Sequence, residues 1–149
     1  MQNCYSSVAP IVKEDLFHEL QCPKNDLEKK QMDKIPYAYA VGSIMYAQVY
    51  TRPNIAYVVG LLGWYQSNPG IDHWKTVKKV LSCLQGTKDY MLTYRRTNNL
   101  EIIGYFDSDY ADRKDTRKST SDYIFMLSNG PISWKSHKQS LIAFSTMET

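Results

Sequence analysis

Two aspartates lie two positions apart, and their type and spacing suit a metal site. Asp107 and Asp109 fall within "LEIIGYFDSDYA", where apolar residues alternate with polar ones as in a β-strand. Side chains two apart on a strand project from the same face, so these carboxylates would lie beside each other. Neighbouring carboxylates repel each other unless a cation lies between them, and Mg²⁺ prefers carboxylate oxygens. Spacing alone favours the simpler alternative, a solvated pair at the end of a strand.

The other metal-ligating residue types show no pattern. The three cysteines are far apart and form no Cys-x-x-Cys pair, which argues against a zinc knuckle or a disulfide framework and indicates a reduced, intracellular setting. The three histidines show no ligand spacing and are expected to serve packing or solvent roles. These residues are Cys4, Cys22, Cys83, His18, His73 and His137.

Composition predicts a folded chain with no membrane span. Of the 149 residues, 43% are hydrophobic and 13% aromatic, which favours a folded protein over a disordered one. The longest apolar stretch, around Ile55 to Trp64, contains two glycines and is too short to cross a bilayer. Charged residues interrupt the N-terminal region early, so no signal pattern is present and a soluble protein is expected. The net charge of +3 permits nucleic-acid contact without requiring it.

Helical patterns precede the aspartates. Residues 1–35 are charged and irregular and predict a solvated linker. Helices are expected at residues 36–53, 53–68 and 72–86, the second apolar on most faces and therefore buried. Pro36 suits the first helical position, and Asp72 is the expected cap of the third helix. The expected inner stripes of the first and third helices are Val41, Ile44, Met45 and Val49, and Trp74, Val77, Leu81 and Leu84.

After Tyr90 the apolar period changes from helical to alternating. Short connections between the strands predict an antiparallel meander. A turn is expected at Asn129-Gly130, and the "STMET" run reads as the start of a helix. The four expected strands are 90–96, 100–111, 121–128 and 130–140.

Basic residues offer a second kind of chemistry, contact with phosphates. Lys75, Lys78 and Lys79 fall on or near one side of the third predicted helix, where a solvated basic face is the simpler alternative. A further basic cluster follows the aspartates. The candidate nucleic-acid-binding residues are Lys78, Lys79, Arg117 and Lys118.

Eight sequence blocks occur together in a specific order. They are "AVGSIMYA", "TRPNIAY", "SNPGIDHW", "LQGTKDYMLTY", "GYFDSDYA", "RKSTSDYIF", "ISWKS" and "STME". In order and spacing this set closely resembles the Pol polyprotein of plant copia-type LTR retrotransposons. The matching stretch of that family leaves the reverse transcriptase and enters the RNase H domain.

The resemblance implies an α+β fold and an activity. Residues 36–90 would be a helical thumb or connection segment of reverse transcriptase, and residues 91–149 the opening antiparallel strands of an incomplete RNase H-like fold. The parent family copies RNA into DNA and cleaves RNA in RNA–DNA hybrids, so the hybrid or DNA is the implied partner and Mg²⁺ the implied cofactor. Asp107 matches the first of the family's four metal-binding acids, whereas Asp109 is not one of the four.

The resemblance also implies that this chain carries little of either active site. Glu148 matches the first glutamate of the family's S-T-x-E-A-E block, and the metal-binding glutamate would follow Thr149. One carboxylate does not hold two magnesium ions against their hydration. The isolated chain is therefore expected to bind no stable metal and to be inactive. The alternative is a non-enzymatic retroelement-derived module that binds nucleic acid or a protein partner.

Two strand residues depart from the family pattern. Phe106 stands where the family has a small residue, and Asp122 stands where it has glycine. A charged residue inside a strand is expected to cost stability. An incomplete sheet also exposes an edge and a face, so marginal stability or self-association is expected.

Overall fold

Helices form the first part of the fold and a small sheet the second. The computed structural model describes residues 17–94, 96, 98, 100–109, 118–142 and 145. Within these residues four α-helices precede three antiparallel strands, which confirms the α+β class. The elements are α1 (Asp26–Asp33), α2 (Tyr37–Thr51), α3 (Ala56–Trp64), α4 (Ile71–Gly86), β1 (Ile102–Asp109), β2 (Thr120–Leu127) and β3 (Gly130–Lys138), with 3-10 turns at Glu19–Gln21 and Pro53–Ile55.

The hydrophobic core lies among the helices, with α3 at its centre. This helix is apolar on most of its circumference, so neighbours can bury it on several sides, as predicted. A buried hydrogen bond of 2.9 Å from the Tyr37 hydroxyl to the Leu62 carbonyl joins α2 to α3. Burial raises the pKa of Tyr37 far above its ordinary value. The buried apolar side chains of α2, α3 and α4 are Tyr37, Val41, Ile44, Val58, Val59, Leu61, Leu62, Val77, Val80 and Cys83.

The charged stretch before α2 is not wholly irregular, and the linker prediction is wrong for Asp26–Asp33, which is helical. Asn25 caps this helix, because its side chain accepts the Glu28 N–H at 2.8 Å. The Glu28 carboxylate in turn accepts the Lys24 N–H at 2.9 Å. Met32 is buried and joins the core. This stretch is highly charged and has only one buried apolar residue, so no helical pattern was evident in the sequence. The helix is stabilised by that residue and by its N-cap.

Helix α4 begins two residues earlier than Asp72 suggested. Its N-cap is Gly70, whose N–H donates to Nδ1 of His73 at 2.8 Å. His73 is fully buried and stacks on Tyr65 with ring centroids 4.1 Å apart. The predicted Trp74, Leu81 and Leu84 are only partly buried, and the buried residues of the helix are His73, Thr76, Val77, Val80 and Cys83.

The expected inner stripe of α2 is only half correct. Val41 and Ile44 are buried, but Met45 is 41% exposed and Val49 is 61% exposed. Helix α2 carries no charged residue, so its apolar pattern alone did not distinguish the packed face from the exposed one. Contacts with α3 and α4 decide which side is covered.

The sheet is an antiparallel meander in the order β1-β2-β3, which confirms the predicted connectivity of these strands. The β2–β3 loop is Ser128-Asn129, one residue before the predicted turn. Both residues have positive φ angles, 49° and 68°, as a type I′ hairpin turn requires. A register shift lies between Phe125 and Met126 where β2 pairs with β3.

The strand predicted at residues 90–96 is wrong for the described part of that range, which is not in a strand. Tyr94 instead lies against the hairpin, where its hydroxyl donates to the Pro131 carbonyl at 2.6 Å. A Cβ atom on Gly130 would lie 2.7 Å from the Tyr94 ring, so a side chain there would displace it. The aromatic ring therefore packs on the hairpin without adding a fourth strand.

The two faces of the sheet have different surroundings. On β3, Trp134, Ser136 and Lys138 point toward the helices. The Trp134 Nε1–H donates to the Gln48 carbonyl at 2.9 Å, and Lys138 Nζ lies 5.6 Å from the centre of the Trp64 ring. We call this side the inner face and the opposite side, which carries Lys135 and His137, the outer face. Side chains of directly paired residues share a face, so the register assigns the other strands as well.

Candidate functional site

Asp107 lies on the inner face, and a second carboxylate is paired with it on the neighbouring strand. Strand β1 positions it opposite Asp122 of β2, and Asp122 in turn lies opposite Ser136 of β3. Asp109 lies on the same face, opposite Thr120. The predicted projection of the two aspartates from one side of a strand therefore agrees with the register. Asp122 was not predicted as a site residue, because the sequence indicated only that its charge would lower stability.

The carboxyl of Asp122 is the electrostatically perturbed group of this site. Burial raises its pKa, and the negative charges of Asp107 and Asp109 raise it further. A hydrogen bond with Ser136 and the nearby His137 oppose the increase. Within the part of the chain that the structure describes, no donor reaches its buried Oδ1 atom. Asp122 therefore holds a proton more readily than an ordinary aspartate does.

A cleft of about 430 Å³ opens between the helices and the inner face, and both carboxylates lie on it. The 3-10 turn at Pro53–Ile55 and the first turn of α3 form one wall. Tyr57 and Ala56 line that wall, and Tyr105, Ile124 and Trp134 line the sheet side. The hydrogen bond from Trp134 to α2 anchors the sheet beside the helices. Apolar walls thus surround a pair of acidic groups.

The described residues do not by themselves form a magnesium site. No group of three histidine, cysteine, aspartate or glutamate side chains within them is arranged to hold a metal ion. Asp107 and Asp122 supply oxygen atoms, but magnesium requires a near-octahedral set and keeps several waters. The raised pKa of Asp122 further weakens it as a ligand, because ligands bind in the deprotonated form. Glu148 lies outside the described residues.

The four predicted nucleic-acid-binding residues lie on different parts of the chain. Lys78 and Lys79 are exposed on α4. Lys118 lies just before β2, where its ammonium donates to the Ser140 carbonyl at 2.7 Å. Arg117 is outside the described residues. Lys75, near the first pair, forms an ion pair of 2.8 Å with Asp72. Two of the four residues thus lie on α4 and one precedes β2.

The sequence did not predict a cluster of aromatic rings on the sheet. Phe106, Tyr123 and Phe125 form a ring cluster on the outer face. The centroid of the Phe125 ring is 5.5 Å from that of Phe106 and 5.6 Å from that of Tyr123. The alternation of each strand contained the signal, because these residues occupy the positions between the inner-facing ones. Only the register between strands brings them together.

The helices carry no sign of a membrane span. Across the described residues, none of them combines the length and the apolar character needed to cross a bilayer.

Comparison with known proteins identifies the kinship of the chain. The retrovirus-related Pol polyprotein of transposon TNT 1-94 from Nicotiana tabacum is 40% identical over 148 residues, 99% of this chain. The corresponding polyprotein of transposon RE2 from Arabidopsis thaliana is 39% identical over 119 residues. Secreted RxLR effector protein 161 from Plasmopara viticola is 44% identical over 117 residues, which are 78% of this chain and 82% of that protein. Nearly the whole chain is therefore similar to a segment of transposon Pol polyproteins.

This similarity confirms the coarser part of the prediction, the resemblance to the Pol polyproteins of plant transposons. The chain spans only a small share of its Pol relatives, 11% of the TNT 1-94 polyprotein and 8% of the RE2 polyprotein. No protein-family model matches the chain, and no solved structure matches it either. The relatives support a copia-type Pol segment, and which region of Pol it represents stays a prediction.

Proposed function

We propose that this chain is the segment of a transposon Pol polyprotein in which the reverse transcriptase meets the RNase H domain. In this proposal α2, α3 and α4 belong to the thumb or connection region, and β1, β2 and β3 are the opening strands of an RNase H-like fold. The activity of the parent would be DNA synthesis on RNA and cleavage of RNA in RNA–DNA hybrids. The supporting observation is that Asp107 lies on the first strand of an antiparallel meander, beside a cleft.

In the assembled polyprotein Asp107 would be one ligand of Mg²⁺. When bound, that ion would activate water and stabilise the leaving oxygen. The described residues do not complete such a site, so no step of the reaction is assigned to them alone. We accordingly propose that a polypeptide of these 149 residues does not cleave hybrids. Magnesium-dependent cleavage by that polypeptide, abolished by Asp107→Asn, would overturn this part of the proposal.

A chimeric polyprotein tests the assignment to this region of Pol. The matched segment of the TNT 1-94 polyprotein is replaced by this chain, and DNA synthesis and hybrid cleavage are measured separately. Asp107→Asn should abolish cleavage and leave DNA synthesis intact. Asp109→Asn is the matched control, because it removes the neighbouring carboxylate on the same face and should preserve cleavage. Equal cleavage by the chimera and its Asp107→Asn variant would refute the role of Asp107.

A second candidate is a non-enzymatic module that binds nucleic acid or a protein. The relative from Plasmopara viticola favours it, because the aligned segment accounts for 82% of that protein. A sequence of this kind can therefore make up most of a short protein. The candidate predicts magnesium-independent, salt-sensitive binding to an RNA–DNA hybrid that weakens when Lys78 and Lys79 are replaced by glutamine. Binding that is insensitive to salt and to these substitutions would refute it.

A further inference from the structure

The two faces of the sheet differ in charge. All three acidic residues of the strands, Asp107, Asp109 and Asp122, lie on the inner face. The outer face of the same strands carries two basic side chains, Lys135 and His137, and no carboxylate. Because strand side chains alternate between faces, this segregation follows directly from the register. The outer face therefore suits an anionic ligand better than a cationic one.

The same face presents an aromatic surface. Phe106 is 72% exposed and meets Phe125 edge to face, at an interplanar angle of 87°. The Tyr123 ring lies 5.6 Å from the Phe125 ring between centroids, and Tyr123 is paired directly with Phe106 across the two strands. Gly104 leaves room for this cluster, since a Cβ atom there would lie 2.9 Å from the Phe125 ring. Three rings thus lie side by side on the outer face, where Phe106 is exposed and Tyr123 and Phe125 are half-buried.

Positive charge borders the rings. Lys135 is exposed and lies directly opposite Tyr123 on the neighbouring strand, and His137 lies opposite Ser121 two positions along. Directly opposed side chains in an antiparallel pair have Cβ atoms about 5 Å apart. A ligand stacked on Phe106 or Tyr123 could therefore place its phosphates within reach of the Lys135 ammonium.

We propose that the outer face of the sheet binds single-stranded nucleic acid, with bases stacked on Phe106 and Tyr123 and backbone phosphates beside Lys135. Unpaired bases expose their rings for stacking, whereas a duplex buries them between base pairs. A second copy of the chain fits this face less well, because two outer faces in contact would oppose their lysines. The site needs neither Asp107 nor a metal ion, so it goes beyond the proposed Pol role.

The test measures fluorescence anisotropy of a labelled oligothymidylate of about 15 nucleotides with the full chain over a series of salt concentrations. Phe106→Ala should weaken binding about tenfold or more and leave the salt slope unchanged, since it removes stacking alone. Lys135→Gln should lower the slope of log K against log salt by about 0.7, the value for one phosphate contact on a single strand. A hairpin duplex of the same length should bind more weakly than the single strand.

Matched controls use exposed residues on the helices. Tyr39→Ala removes a ring that is 79% exposed on α2, and Lys30→Gln removes an exposed charge on α1. Both should leave affinity and slope unchanged. Far-ultraviolet circular dichroism verifies that each variant is folded, and Phe106→Ser gives a second variant of the exposed ring.

Three results would overturn the proposal. The first is unchanged affinity in folded Phe106→Ala and Phe106→Ser, and the second is equal binding of single strand and duplex. The third is a dimer that dissociates on Phe106→Ala without any oligonucleotide binding, which would make the face a self-association surface. Cleavage by the chimeric polyprotein is a separate readout, so failure here does not depend on failure of the Pol assignment.

Discussion

Replacing Asp122 by asparagine should stabilise the chain at neutral pH and change little in acid. The carboxyl is half-buried, lies opposite Asp107, and has a pKa raised from its usual value of 3.8. Below that value the carboxyl is protonated in both the folded and the unfolded state, so it carries no charge penalty. As pH rises, the unfolded state releases the proton first, and the folded state loses stability until its own raised pKa is passed. Asparagine stays neutral throughout and can still accept a hydrogen bond from Ser136.

The size of the effect follows from the cross-strand geometry. Two charges about 5 Å apart repel by roughly 1 kcal/mol at the dielectric constant of water and by about 3 kcal/mol at an effective value of 20. Asp107 is exposed and Asp122 only half-buried, so solvent screens the pair and the lower figure applies. We therefore expect Asp122→Asn to raise the free energy of unfolding by about 1 kcal/mol at neutral pH.

Urea denaturation at a series of pH values measures this difference. The gain of Asp122→Asn over the parent chain should be near zero at the acid end and should grow as pH rises through the window between the unfolded and folded pKa values. Added salt at neutral pH should reduce the part of the gain that comes from repulsion by Asp107. Asp89→Asn, an exposed aspartate after α4, is the matched control and should reproduce the parent profile.

A gain independent of pH would show that shape rather than charge decides the effect. A loss of stability at neutral pH would show that the ionised carboxylate has a compensating partner, and the reasoning about Asp122 would fail. Ser136→Ala provides the reverse perturbation, since removing its hydrogen bond should lower stability most where Asp122 is ionised.

Three further predictions concern contacts that hold the site in place. Tyr37→Phe should cost about 1 kcal/mol by removing the buried hydrogen bond to the Leu62 carbonyl, measured by urea denaturation. Trp134→Phe should cost a similar amount, about 1 kcal/mol, and should speed amide hydrogen exchange in β3, because the bond to Gln48 joins sheet and helices; unchanged exchange would contradict this. Asn129→Val should lower stability by about 1–2 kcal/mol because of its φ of 68°, whereas Asn129→Gly should not, and thermal unfolding separates the two.

Local patterns in the sequence anticipated much of the fold. The alternation from Ile102 onward, with a turn signal near Asn129, is a short-range property, and the three strands and their order follow from it. The apolar circumference of α3 likewise indicated a buried helix. These predictions succeed because strand and helix periods are set by backbone geometry within a few residues. Local patterns failed for α1, which a cap and Met32 stabilise within a charged stretch, and for the strand predicted at residues 90–96.

The sequence by itself determined the Pol kinship, the order of the strands and the shared face of Asp107 and Asp109. Only the tertiary structure decided which neighbours surround those carboxylates. Asp122 is 15 residues from Asp107 in the chain, and no local period links them; the register of β1 with β2 does. The cleft needs the helices as well, since Tyr57 and Trp134 form its opposite sides. Pairing and packing between distant segments are long-range interactions, and they set the electrostatics of this site.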